Sequence, residues 1–394
     1  MKQIPYKSFK NKKILCREDL NVPTTYHNGK HTITSLNKFY ATQSNLKPLL
    51  EAGAQVGILT HFGRPANDGS DQKEYSVEFM VTVLRDLYKV PVTFCSSIQN
   101  KTIPFRSKEI ILFENVRLNA GETSNDEVLA DRYNSMCDVY IFNAFATSHR
   151  AHSSTEAIIK IAKEVYLGPL VEYEIKQLDT AMNNPTRPLI AIIGGKKVST
   201  KFDLINNMLN FVDTLIVGGG IANTFLKSNG INIGSSICED NFLEQSNNLL
   251  NNKGKNKIIL PIDVITAKSI DSRIGNNVTI SKGVANDEMI LDIGTQTALH
   301  YSSIIKQAKT ILWNGPLGVI EKDLFKDGTK VIAQAINKSD AFVIAGGGET
   351  VFAIEMFGIS NRINYLSTGG GAFLEYLNGT KLPSLKAFEK RKKS

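Results

Sequence analysis

Arg187-Pro188-Leu189-Ile190-Ala191-Ile192-Ile193-Gly194-Gly195-Lys196-Lys197-Val198-Ser199-Thr200-Lys201 reads as an apolar strand that empties into a glycine turn and then into three lysines within six residues. The apolar run is that of a buried strand, and the two glycines let backbone approach a ligand closely. Ser199 or Thr200 is expected to cap the helix that follows, with Lys201 in its first turn. A strand, a glycine turn and a lysine-bearing helix start suit a phosphate group. The Walker spacing is absent, because no Gly precedes a Lys-Ser/Thr pair at the required distance. Taken alone, the stretch is equally well read as a tight turn with solvated lysines.

The same ending recurs downstream. Thr214-Leu215-Ile216-Val217 leads to Gly218-Gly219-Gly220, Ala341-Phe342-Val343-Ile344-Ala345 to Gly346-Gly347-Gly348-Glu349-Thr350, and Ile363-Asn364-Tyr365-Leu366-Ser367-Thr368 to Gly369-Gly370-Gly371. Each helical stretch that follows closes on a C-cap glycine, at Gly230, Gly358 and Gly379. Glycine triplets at three strand exits point to amides left bare for phosphate oxygens at helix N-termini. Ile311-Leu312-Trp313 leads into Asn314-Gly315-Pro316-Leu317-Gly318-Val319-Ile320-Glu321, and Ile258-Ile259-Leu260-Pro261-Ile262-Asp263 reads as a further strand exit. A nicotinamide dehydrogenase is the obvious rival on such a sheet. Its G-x-G-x-x-G fingerprint fails at the third glycine, where Asn223, Val351 and Leu374 stand.

The first half carries basic and polar groups at its strand ends instead. Lys13-Ile14-Leu15-Cys16 runs into Arg17-Glu18-Asp19-Leu20-Asn21-Val22-Pro23, and Val56-Gly57-Ile58-Leu59-Thr60 into His61-Phe62-Gly63-Arg64-Pro65. Ile110-Ile111-Leu112-Phe113 runs into Glu114-Asn115-Val116-Arg117, and Val139-Tyr140-Ile141-Phe142 into Asn143 and then Ser148-His149-Arg150-Ala151-His152. Helical stretches lie between them, at residues 46–52 and 77–88. Alternating strands and helices predict a parallel, doubly wound sheet, whose ligands bind outside the carboxyl ends of the strands. Any one of these groups alone is more often a plain surface residue. Several arginines at one end of one sheet suit bidentate capture of carboxylate or phosphate. Asp19 and Asn21 suit hydroxyl recognition. The histidines lack a helical His-x-x-x-His pair and neighbouring carboxylates, so a metal site is not expected.

A chain of 394 residues calls for two domains. Its 42% hydrophobic and 21% charged content is that of a globular protein. The net charge of +8 is modest, and part of it lies in Lys390-Arg391-Lys392-Lys393, which reads as a solvated, frayed end. The charge alone suits nucleic acid, an acidic surface or a small anionic substrate, but no basic stretch is interleaved with aromatics, so a single-strand stacking platform is not indicated. A non-catalytic anion-binding protein has no need of two unlike sets of strand ends. Cys16, Cys95, Cys137 and Cys238 show no paired spacing, no leader or membrane segment is apparent, and a cytoplasmic location is expected. Val171, Ile175, Leu178 and Met182 fall on one face of a helix. The expected division is residues 1–168, a joining helix over residues 169–184, and residues 185–379, with the tail from about residue 380 packing near the first domain.

Together these segments resemble phosphoglycerate kinase in its bacterial form, over roughly residues 13–386. The resemblance implies two Rossmann-like α/β domains joined by a helix that bends as a hinge. It also implies reversible, Mg²⁺-dependent transfer of phosphoryl from 1,3-bisphosphoglycerate to ADP, giving 3-phosphoglycerate and ATP, in a monomer with no nucleic-acid or membrane partner. By the same resemblance Asp19, Asn21, Lys38, His61, Arg64, Arg117 and Arg150 bind the phosphoglycerate. Gly195, Lys201, Gly219, Asn314, Pro316, Gly318, Glu321, Gly346, Gly347, Gly348, Glu349 and Thr350 bind the nucleotide. Lys38, Lys197, Lys201, Gly370 and Gly371 act on the group in flight, and Glu349 is the one protein carboxylate expected near Mg²⁺.

The chain departs from that family's pattern at several positions. Lys38 stands where an arginine is usual, Glu349 where an aspartate is, and Phe142-Asn143 where an Asn-Asp pair is. Lys196 occupies a position that the family gives to a small residue. A lysine offers one point charge without the guanidinium fork, so Lys38 is expected to do the arginine's work less well.

Overall fold

The computed structural model describes residues 3–66, 72–99, 105–367 and 369–391. Thr368 and the last basic residues of the tail, which belong to segments singled out above, lie outside the described residues. The chain divides into two compact units, one running to Lys176 and resuming at Lys381, the other spanning Gln177–Thr380.

The first unit is built on six parallel strands: β1 (Lys13–Arg17), β4 (Gln55–Leu59), β5 (Val92–Cys95), β6 (Ile110–Phe113), β7 (Val139–Phe142) and β8 (Val165–Leu167). Between β1 and β4 the chain makes an antiparallel hairpin, β2 (Thr24–His27) and β3 (Lys30–Ile33). The sheet order is β5-β6-β4-β1-β7-β8. Every residue of β6 and β7 is buried, the pattern of a parallel sheet covered on both faces. Ile14, Cys16, Val56, Ile58, Leu112 and Ile141 pack with Leu46, Leu49, Met80 and Leu84 in one core cluster. The chain turns from one side of β1 to the other between β4 and β7. A crevice therefore opens at the carboxyl ends of β1 and β7.

The second unit holds β9 (Leu189–Ile193), β10 (Thr214–Val217), β11 (Ile258–Ile259), β15 (Thr310–Asn314), β16 (Phe342–Gly346) and β17 (Tyr365–Ser367), all parallel, in the order β11-β10-β9-β15-β16-β17. This is the doubly wound order in which the third, second and first strands are followed by the fourth, fifth and sixth. The switch point falls between β9 and β15, where the stretch quoted first leaves the sheet. Ile190, Ile192, Ile311, Trp313, Val343 and Ala345 form its core with Tyr301, Ile305, Ile332, Ile336 and Ile354.

Several sequence expectations need correction here. The run from Ile258 is not one strand, because β11 ends at Ile259, ahead of Pro261. Asp263 instead opens β12 (Asp263–Ala267), the centre of an antiparallel sheet with β13 (Asn276–Thr279) and β14 (Met289–Ile293). Its carboxylate accepts from the amides of Gln296 (3.1 Å) and Thr297 (2.7 Å), so it holds the start of helix Thr295–Ile305 and not a ligand. The helix expected from residue 77 begins at Met80. Lys390 and Arg391 are not frayed: they end helix Pro383–Arg391, and the Arg391 guanidinium donates to the carbonyls of Ile159 and Lys160.

Helix Pro169–Asn183 contains the boundary between the units. Val171, Ile175, Leu178 and Ala181 are its buried apolar residues, while Met182 is only half-buried.

Candidate active site

In the second unit, the turn after β9 is fixed by contacts with the turn after β15. The Gly194 amide donates to the Asn314 carbonyl (3.0 Å), and a Cβ on Gly194 would stand 1.7 Å from the Pro316 carbonyl oxygen. Only glycine fits there. Trp313 is buried under this turn and donates from Nε1 to the Gly315 carbonyl (3.0 Å). Lys201 Nζ reaches back to the same point, donating to the carbonyls of Gly194 (2.6 Å) and Asn314 (3.3 Å). Burial pushes the Lys201 ammonium down to about 8, partly opposed by the charge of Glu349. A cation held at a switch point by two carbonyls, and short of solvent, is ready to be better satisfied by an anion.

The helix that follows is Phe202–Met208, with Lys201 itself at the N-cap position and no side-chain cap. The expected Ser or Thr cap is absent. The Thr200 hydroxyl donates back to the Lys197 carbonyl (2.8 Å), and the Ser199 hydroxyl donates to Glu239 (2.7 Å).

The glycine triplets do not all leave amides bare. The amides of Gly218 and Gly219 donate to Ile193 and Leu317 carbonyls, at 3.1 Å each. A Cβ on Gly220 would stand 2.1 Å from the Lys196 carbonyl oxygen. At this exit the glycines serve close packing of two backbone turns. Asn314 and Thr350 are likewise engaged internally. Asn314 Nδ2 donates to the Gly346 carbonyl (2.6 Å), while the Thr350 hydroxyl donates to that carbonyl (2.8 Å) and accepts from the Gly315 amide (2.8 Å). Both are buried. They brace the turns after β15 and β16 and do not project outward.

By contrast, Cβ atoms on Gly348 and Gly370 would meet nothing within 4 Å. Gly348 opens helix Gly348–Met356, whose first turn carries the exposed Glu349, and Gly370 is the N-cap of helix Gly371–Leu377. Pro316 is buried, Gly318 half-buried, and Glu321, Lys196 and Lys197 are exposed. Among the described residues no three His, Cys, Asp or Glu side chains gather into a metal site.

In the first unit, one network joins most of the expected ligand groups. Lys38 Nζ lies 2.6 Å from Asp19 Oδ2, and Asp19 Oδ1 accepts from the Asn21 amide (3.2 Å). Asn21 Oδ1 accepts from the Gly63 amide (3.0 Å), and Arg117 donates to the Gly63 carbonyl. Arg150 Nε lies 3.2 Å from His149 Nε2. Arg64 is exposed beside Gly63.

His61 is buried and held neutral. Burial lowers its pKa well below the usual range, and the charges of Arg17, Lys38 and Arg150 add to this. Its Nδ1 sits 3.2 Å from the Arg17 guanidinium, which has no acceptor, so Nδ1 accepts and Nε2 carries the proton. His61 is therefore a neutral donor and not a cation.

Sequence reasoning missed the buried layer that holds these groups. Arg17 is 1% exposed and donates to Ser154 Oγ (3.0 Å) and to the Glu18 carbonyl, besides His61. Ser154 in turn donates to Glu122 (2.6 Å). Glu18 accepts from the side-chain amides of Asn45 and Asn143, at 2.7 Å each, and burial pushes its carboxyl up to about 8 against those bonds and the charge of Arg17. Asn143 also accepts from the Leu170 amide (2.9 Å), tying the end of β7 to the start of helix Pro169–Asn183. The only advance signal was polar residues directly after apolar strands.

The phosphoglycerate kinase family model matches residues 4–380. A phosphoglycerate kinase of Baumannia cicadellinicola subsp. Homalodisca coagulata is 44% identical over 390 residues, covering 98% of this chain and 97% of that protein. The structure of phosphoglycerate kinase from Coxiella burnetii superposes with a TM-score of 0.89 at 41% identity, covering 97% of each chain. That from Pyrococcus horikoshii gives 0.81 at 29% identity over 98% of each. A cation-rich strand-end site in one doubly wound unit, a lysine and glycine site in the other, and a family match spanning both place the chain in the phosphoglycerate kinase family, kinases that transfer phosphate to or from a carboxyl group.

Proposed function

We propose that the first unit holds 3-phosphoglycerate or 1,3-bisphosphoglycerate and the second ADP or ATP, with phosphoryl passing directly between them. The acyl phosphate P–O bond breaks, the carboxylate leaves, and a P–O bond forms to the terminal ADP oxygen. The observation that carries this division is the contrast between the two strand-end sites. Asp19, Lys38, Arg117 and Arg150 make a cationic, fork-rich cradle, whereas Lys201 is one half-buried ammonium among glycine turns.

Such transfer asks little covalent help of protein and depends on in-line positioning and charge neutralisation. Asp19 and Asn21 orient the glycerate hydroxyl. Arg64, Arg117 and Arg150 hold its carboxylate and the phosphate that stays behind, and neutral His61 donates from Nε2. Lys197 and Lys201 take the charge of the moving group, with the open backbone at Gly348, Gly370 and Gly371 beside it. The turn carrying Pro316, Gly318 and Glu321 receives the adenosine, while Asn314 and Thr350 hold that turn in shape. Mg²⁺ ordinarily binds through one or two carboxylates together with substrate phosphates, and exposed Glu349, whose field reaches Lys201, fits that need. Bound there, it would neutralise phosphate charge. With donor and acceptor on different units, transfer requires closure about helix Pro169–Asn183, which also keeps water from the acyl phosphate. The substrates are small and soluble, in keeping with a cytosolic monomer that uses neither nucleic acid nor membrane. Among the described residues no helix is long and apolar enough to cross a membrane.

The test is a coupled assay for ATP consumption that requires both 3-phosphoglycerate and Mg²⁺. No turnover with that pair would overturn the proposal.

Lys38 gives a sharper check. Its ammonium pairs with Asp19 at 2.6 Å, one charged hydrogen bond where a guanidinium fork would offer more. Lys38→Ala is expected to lower kcat/KM for phosphoglycerate about 10- to 100-fold, the worth of one charged hydrogen bond of about 1–3 kcal/mol. Lys38→Arg should retain or raise the parent value. Unchanged turnover in the alanine variant would remove Lys38 from the machinery.

A further inference from the structure

The turn that carries Lys197 is held from outside its own segment. Glu239, 40 residues downstream, accepts from the Ser199 amide (2.7 Å) and the Ser199 hydroxyl (2.7 Å), and the Val198 amide also bonds to it. Burial alone would raise this carboxyl. The Ser199 bonds, the charge of Lys197 and the Val198 amide together outweigh that and keep it below its ordinary value. The contact is anchored on both sides. The Glu239 amide donates to the hydroxyl of buried Thr224 (3.4 Å), and Phe242 packs its ring on Phe202 at 5.4 Å between centroids. Segment 239–242 thus lies along residues 199–202 as a strip.

One consequence is chemical. The amides at 198 and 199, close to the start of the helix, are already taken by a carboxylate. An incoming phosphoryl group then finds no bare amide at residues 198 and 199, and the ammonium groups of Lys197 and Lys201 are the charges this part of the turn can offer it. Glu239 also sets one negative charge beside Lys197, on the turn from which that flexible side chain departs.

We propose that Glu239 is a positioning residue for Lys197: it fills the amides of the turn, fixes the backbone from which Lys197 projects, and so directs the moving phosphoryl group onto lysine. This rests on the reading of Lys197 as a group that meets that phosphoryl. Glu239 itself touches no substrate, so its effect should appear only when Lys197 is present.

The experiment is a double-mutant cycle on kcat with Glu239→Ala, Lys197→Ala and the double variant, with Glu239→Gln as the conservative control and melting temperatures recorded for each. Glu239→Ala is expected to lower kcat about 10-fold with KM for phosphoglycerate unchanged. Glu239→Gln, which keeps an acceptor for the Ser199 amide, should stay within about threefold of the parent. In the Lys197→Ala background, Glu239→Ala should change kcat by less than about twofold, the non-additivity expected of residues acting as one unit. Equal losses in both backgrounds, or an unchanged kcat in Glu239→Ala, would overturn the proposal. An unchanged kcat in Lys197→Ala would instead overturn the reading of Lys197 on which it stands. Should the alanine variant fail to fold, the same cycle run with Glu239→Asp decides: its shorter reach should lower kcat several-fold in the parent and not in Lys197→Ala, and no loss, or equal losses in both backgrounds, would overturn the proposal.

Discussion

Lys201→Ala is expected to lower kcat about 100- to 1000-fold, the range seen when one preorganised donor to a transition state is removed. The same change at Lys196 should stay within about twofold, as befits an exposed side chain whose loss leaves no buried group unpaired. The difference lies in how each is held. Lys201 Nζ is placed by two carbonyls from the paired ends of β9 and β15, so it needs no reorganisation when a phosphoryl group arrives. Its pKa adds a second readout. Burial sets it at about 8 in the free protein, and an anionic ligand favours the charged form. Nucleotide binding above pH 8 should therefore take up a proton, and affinity should fall as pH rises through that value. Titration calorimetry in buffers of different ionisation enthalpy reports the uptake, which should vanish in Lys201→Ala.

The sign for stability is opposite to that for activity. Lys201 titrates lower in the fold than in the unfolded chain, where it sits near 10.4, so burying the charge costs stability in full below pH 8. That cost fades as pH rises from 8 towards the unfolded value. At pH 7 the alanine variant should thus melt no lower than the parent on this account. Equal kcat losses at Lys196 and Lys201 would mean that the cluster's total charge matters and not the placement of one ammonium.

Much of this was legible because it is local. Buried runs such as Val139–Phe142 announce parallel strands by composition alone. Polar residues directly after them mark the ends where ligands sit. What resisted reading depends on a neighbour supplied by the fold. Arg17 looks like the other strand-end arginines, yet it lies within β1 and turns into a buried layer. Glu239 gives no sign in the sequence that it will meet Ser199. Asn314 and Thr350 sit in the right turns but bond to backbone at Gly346 and Gly315. The hairpin of β2 and β3 is a different case. Asn28-Gly29, both at positive φ, is the two-residue turn that joins twisted strands, so its signal was present and simply unread.

The glycines show most clearly where residue type and reason part company, and Gly194→Ala turns that into a measurement. A methyl at Gly194 would come within 1.7 Å of the Pro316 carbonyl oxygen and 2.9 Å of that of Gly315. These are backbone atoms, and they cannot withdraw cheaply. Ile193 is paired with Asn314, the Gly194 amide bonds to the Asn314 carbonyl, and Trp313 Nε1 pins Gly315. Overpacking a core usually costs about 1–3 kcal/mol, and a clash with fixed backbone belongs at or above the top of that range. The second unit should therefore lose at least about 3 kcal/mol, followed by denaturant unfolding. Nucleotide affinity should fall about 100-fold or more, because relieving the clash moves Gly194, whose own carbonyl places Lys201 together with that of Asn314. Phosphoglycerate binding to the first unit should survive, which separates this outcome from general misfolding. Gly348→Ala is the contrast: its methyl meets nothing within 4 Å at the start of a helix, so stability should hold or rise slightly. If Gly194→Ala unfolded with the parent and bound nucleotide normally, the two turns would have to part without cost. The seating of Lys201 between them would then not be what makes it effective.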